Sequence, residues 1–99
     1  MKNDREVVEK KYDENLENIA AVVHEVWSHW QKYLHSQCIK QSDGSLKIPK
    51  DLVSQWNKQI NLKYDQLTES EKNSDIEQAF KYKKIFVKII NEILEERDT

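Results

Sequence analysis

The chain has 99 residues, a formal net charge of −2 and a single cysteine, so it is short enough for one domain, has no global field to steer it onto nucleic acid, and can form no internal disulfide. It is polar, with 34% charged residues and a mean hydropathy of −0.91. It has no apolar run long enough to span a bilayer, and three Trp, four Tyr and two Phe supply the large anchors that a disordered chain lacks.

In chain order, residues 3–34 read as one long helix. Val8, Tyr12, Leu16, Ile19, Val23, Val26 or Trp27, Trp30 and Leu34 recur at spacings of three and four, with no Gly or Pro between them. The second half of this stretch, IAAVVHEVWSHWQKYL, is the densest. The first half is acidic and sparsely apolar, which suits a helix N-terminus and is compatible with a projecting or frayed start over residues 1–18. The N-terminal stretch MKNDREVVEKKYDENLEN lacks the apolar core of a secretory signal, and the reading is of a cytoplasmic protein.

Residues 36–48 break the pattern. Ser42-Asp43-Gly44-Ser45 is a turn signal, and the alternation around it fits either a short β-hairpin or an unstructured loop. Pro49 suits the first position of a second helix carrying Leu52, Val53, Trp56 and Ile60. Residues 61–67 form a connector anchored by Leu62, Tyr64 and Leu67. Thr68-Glu69-Ser70-Glu71 is a capping box that opens a third helix running to about Glu96. Its apolar sector is wide. Ile85, Ile89 and Ile93 exceed what one partner helix requires, which fits a subunit interface in a homo-oligomer or a core helix contacted on two sides. The architecture expected is mainly α: three helices, with the hairpin or loop between the first two.

The chemistry-bearing residues do not assemble into an enzyme. His24 and His29 are five apart, about 140° round a helix, so they miss the i, i+4 geometry of a zinc-binding pair. Cys38 lies near His35 without a recognisable third group, and one glycine cannot make a phosphate-cradling loop. No metal and no cofactor are expected. Lys81, Lys84 and Lys88 share a helical stripe, which fits a solvated basic face or a phosphate contact. His24, Ser28, Gln31 and His35 form a polar line beside Trp27. That line fits either hydrogen-bonded residues at a core edge or the directed polar groups of a ligand site.

His24-Glu25 with Trp27, followed by Tyr64, Leu67, Glu71-Lys72, Asp75 and Ala79, resembles the ryanodine-receptor repeat (RyR) domain. The layout, including DGSLKIPKDLVSQW, is similar to that of small proteins of bacteriophages and prophages, and the likeness runs from about Ile19 to Ile85. It implies a small helical fold with a minor β-hairpin that recognises nucleotide-derived molecules, in some relatives to sequester immune signalling nucleotides of the host. Two features depart from the pattern: the Ser42–Ser45 turn replaces an aromatic-glycine insert, and Ile76 stands where an arginine usually follows the aspartate. The expected function is non-enzymatic binding of a small nucleotide-type ligand. Trp27 would offer a stacking surface, His24 and Gln31 directed hydrogen bonds, Tyr64 an aromatic with a polar tip, and Lys72 and Lys81 neutralisation of phosphate if the third helix packs antiparallel to the first. The alternative is a helical module that docks on a host or phage protein; a nucleic-acid accessory role is a weaker third.

Overall fold

The computed structural model describes residues 3–98. It is mainly helical, with helices α1 (Asp4–Glu14), α2 (Leu16–Gln37), α3 (Lys50–Ile60), α4 (Glu69–Phe80) and α5 (Lys83–Asp98), and a one-turn 3₁₀ segment at Tyr64–Gln66. Between α2 and α3 lies an antiparallel pair of two-residue strands, β1 (Ile39–Lys40) and β2 (Leu46–Lys47), in register Ile39 to Lys47 and Lys40 to Leu46. Where the sequence left hairpin and loop open, the hairpin forms. Gly44 makes its turn possible by adopting φ +89°, and Asp43 accepts from the backbone N–H and the hydroxyl of Ser45.

The expected count of three helices is corrected, because two of the three long helical runs are broken. The first run breaks at Asn15, which takes φ −103° and ψ 9° and ends α1 with its N–H bonded to the Tyr12 carbonyl; its own carbonyl then accepts from Ile19 to begin α2. The third run breaks at Lys81–Tyr82, where the backbone tightens to i→i+3 bonds from Gln78 to Lys81 and from Ala79 to Tyr82. Neither break has a Gly or Pro to announce it. The capping box is present as read: Thr68 N–H donates to Glu71 Oε1 at 2.8 Å and Glu71 N–H donates to Thr68 Oγ1 at 3.2 Å. Pro49 falls one position earlier than expected, as the residue preceding the first turn of α3.

The backbone separates into two compact units: one of residues 1–26 and 77–99, the other of residues 27–76. In the first, α1 packs on α5. Their order is antiparallel, since Asp4 meets Arg97 at 3.2 Å, Lys11 meets Glu96 at 3.0 Å and Asn15 reaches Glu92 at 2.8 Å. Val7, Ile85 and Ile89 form the apolar core there. Ile85 and Ile89, read from the sequence as surplus apolar width, are therefore spent inside the chain's own fold. The half-exposed apolar side chains of α5 are Phe86, Val87, Ile90 and Leu94, and Phe86, Ile90 and Leu94 among them lie one position round from the buried pair. The second unit holds the hairpin, α3, the 3₁₀ turn and the start of α4. Its helix ends are fixed by short-range bonds such as Gln66 Oε1 accepting from the Lys63 N–H.

Candidate functional site

The six residues singled out in the sequence divide between the two units. Trp27, Gln31, Tyr64 and Lys72 belong to residues 27–76, while His24 and Lys81 belong to the other unit. His24, Trp27 and Gln31 follow one another along α2, at spacings of three and four that keep them on one side of that helix. Trp27 is 57% exposed, a high value for the largest apolar side chain in the chain. His24 is exposed and Gln31 half-buried.

Tyr64 and Lys72 are brought together. Tyr64 opens the 3₁₀ turn, and Lys72 stands in the first turns of α4, where its N–H bonds the Thr68 carbonyl. The Lys72 ammonium lies 5.8 Å from the centroid of the Tyr64 ring, within cation–π range, and 3.9 Å from the Glu69 carboxylate. The ring itself is 50% exposed. The capping box orders this arrangement, since it fixes where α4 starts and hence the distance from residue 64 to residue 72. Glu71 is locked into the cap. Its carboxyl is held below the ordinary glutamate range first by the Thr68 backbone N–H and then by the Gln59 side-chain amide, which also donates to it.

Beside the cap lies a depression of about 400 Å³ whose lining includes Gln55, Lys58, Gln59, Gln66, Thr68 and Glu71. None of the six sequence-selected residues lines it. Its polar groups are largely engaged with the fold: Gln59 with Glu71, Gln66 with Lys63, Thr68 with Glu71. It also lacks the aromatic surface that recognition of a base requires. It is better read as the junction between α3 and α4 than as a ligand site.

One polar cluster was not singled out in the sequence. Asn15 is 2% exposed; its Nδ2 donates to the Lys11 carbonyl and to Glu92, both at 2.8 Å, and its Oδ1 accepts from Lys88 and Asn18, both at 2.9 Å. Lys88 also donates to Glu92 at 2.6 Å. Lys88 first, and then Asn15, holds the Glu92 carboxyl below its ordinary range. Every donor and acceptor of the Asn15 amide is thus occupied within the protein, which marks the cluster as structural. The available signal was Asn15 itself, a poor helix former and good cap residue set inside an apolar-periodic run. Gln78 was also missed: it is 6% exposed and its side-chain oxygen is buried without a partner.

Among the described residues no three of His, Cys, Asp or Glu stand close enough to hold a metal ion, and no helix is long and apolar enough to cross a membrane. In comparisons with known proteins, no protein-family model, no curated protein and no solved structure matches this chain.

Proposed function

We propose that this chain is a non-enzymatic binding protein for a small nucleotide-type ligand, acting in the cytoplasm of a host cell to sequester a signalling nucleotide, as the resemblance to RyR-domain proteins of phages implies. The observation that carries the reading is the Tyr64–Lys72 pair. A half-exposed aromatic face with an ammonium 5.8 Å from its centre offers a surface for a base and a cation for phosphate in one place. Trp27 and Gln31 of the same unit add a second exposed aromatic and an amide one helical turn away.

The test is calorimetry on the full chain with cyclic dinucleotides and ADP-ribose-type nucleotides, preceded by a thermal-shift screen. A hydrogen bond to a charged group contributes about 1.5–3 kcal/mol. Lys72→Ala and Gln31→Ala should therefore each weaken binding roughly tenfold or more while leaving the helical circular-dichroism signal unchanged. A ligand held equally well by both variants would move the site elsewhere, and no response to any of these nucleotides would remove the ligand class.

The second reading, a helical module that docks on a host or phage protein, is favoured by a different observation. Phe86, Ile90 and Leu94 on α5 are 46%, 54% and 48% exposed. Large apolar side chains aligned along one helix mark an interaction surface. A single co-purifying host or phage protein, together with silence in the nucleotide screen, would favour it.

A further inference from the structure

We infer that Asn15 is a releasable latch, and that without it α1 and α2 join into one continuous helix that no longer docks on α5. At the break, Asn15 N–H bonds the Tyr12 carbonyl at 3.0 Å and Ile19 N–H bonds the Asn15 carbonyl at 2.9 Å. In a continuous helix the N–H of residue 15 would bond the Lys11 carbonyl instead. Here the Asn15 side chain takes that place, its Nδ2 donating to the same carbonyl at 2.8 Å. The side chain thus supplies the hydrogen bond that the break removes. A continuous helix would restore it through the backbone, and would add bonds from the N–H groups of Leu16, Glu17 and Asn18 to the carbonyls of Tyr12, Asp13 and Glu14. No Gly or Pro stands in the way. Asn15, at φ −103° and ψ 9°, already lies beside the helical region of backbone space.

The broken form is held from α5. Asn15 Nδ2 also donates to Glu92 at 2.8 Å, its Oδ1 accepts from Lys88 at 2.9 Å, and the residue is 2% exposed. The rest of the docking rests on Val7 and on ion pairs such as Asp4 with Arg97 and Lys11 with Glu96. Val8 and Tyr12, the larger apolar side chains of α1, are left 46% and 48% exposed. Docking of α1 therefore depends on polar bonds around one buried valine, and the Asn15 amide carries a large share of them. In the continuous helix Val8, Tyr12 and Leu16 come into line with Ile19 and Val23. The two forms exchange side-chain bonds to α5 for backbone bonds within a helix, a balance that one side chain can tip. The latch lies in the α1/α5 unit and is independent of the Tyr64–Lys72 site.

Nuclear magnetic resonance on the full chain tests it. Cα shifts across residues 13–18 read helicity, and Overhauser contacts from Val7 to the methyls of Ile85 and Ile89 read docking. Wild type should show the interruption at Asn15 together with the Val7 contacts. Asn15→Ala should bring residues 14–17 to helical shifts, keep α1 helical and lose the Val7 contacts. Glu92→Ala, which keeps Asn15 and removes its partner, should move both readouts the same way by a smaller amount, and decides alone if Asn15→Ala fails to fold. Asp13→Ala places the same helix former in α1 without touching the latch, and should leave both readouts as in wild type. An asparagine with a merely structural role would lose helix around residue 15 on substitution, not gain it. Asn15→Ala with the interruption kept, with α1 unfolded or with the Val7 contacts intact would overturn the proposal. So would a Glu92→Ala that moves neither readout, or an Asp13→Ala that straightens the helix.

Discussion

The α1/α5 pair and the stretch from the hairpin through the capping box are held by forces of different range. In the first, Asn15 bonds Glu92 and Lys88 across 77 and 73 residues of chain, and Val7 is buried with Ile85 and Ile89. In the second, Asp43 with Ser45, Lys63 with Gln66 and Thr68 with Glu71 bond across two or three residues. Short-range bonds close little chain and can form as each segment orders; long-range ones exist only after the loop between them has been closed. Damage to the two regions should therefore differ in size and in reach.

The largest effect is expected in the core of the helix pair. Ile89→Ala removes a buried side chain that few others can replace, and should cost about 2–5 kcal/mol in chemical denaturation. Ile90→Ala, its half-exposed neighbour, should cost clearly less when both are compared at one protein concentration. Equal losses would mean that the two positions do not differ in burial as described. Asn15→Ala comes next. It strands Glu92 and Lys88 without their buried amide partner, and should lower stability by about 1–3 kcal/mol. Hydrogen exchange should report faster opening of both α1 and α5; protection lost in α1 alone would show that the cluster does not tie the two helices together.

Smaller and more local is Thr68→Ala, expected to cost about 1 kcal/mol by removing the oxygen that caps α4. Its exchange signature should be confined to the first turn of that helix and the adjoining 3₁₀ turn. The mildest test is acid titration. Because Glu92 is held below the ordinary glutamate value of 4.5, its contribution is fully present above that pH and fades as the pH falls through its lowered value in the folded protein. Glu71, lowered by its cap, follows the same sign. Glu92→Gln should flatten the acid arm of the stability curve, and a curve parallel to wild type would separate Glu92 from acid unfolding. At the alkaline end the sign reverses. Lys11 is raised above 10.5 chiefly by its hydrogen bond to Glu96, so its contribution is present below that pH and is lost as the pH climbs through the raised value.

Wherever a feature is enforced by neighbours in sequence, the chain declares it. The capping box reads directly from Thr68 and Glu71, and the turn from Asp43 and Gly44, because the bonds that make them join residues two or three apart. Helical periodicity likewise marked nearly every residue of the five helices as helical. Of the two breaks, the first had only the cap preference of Asn15 to signal it, its partners lying at positions 88 and 92, and Lys81–Tyr82 carries no breaking residue at all.

The candidate site shows the same division. That Trp27, Tyr64 and the lysines are the residues suited to a base and a phosphate follows from side-chain chemistry alone. That Lys72 stands over the Tyr64 ring depends on where α4 begins and on the conformation of the 3₁₀ turn before it. Likewise, an apolar excess on the last helix is written in its composition, but periodicity cannot say which of two adjacent stripes faces inward. Docking of α1 turned Ile85 and Ile89 into core and left Phe86, Ile90 and Leu94 at the surface, because a stripe becomes interior only through the partner that covers it.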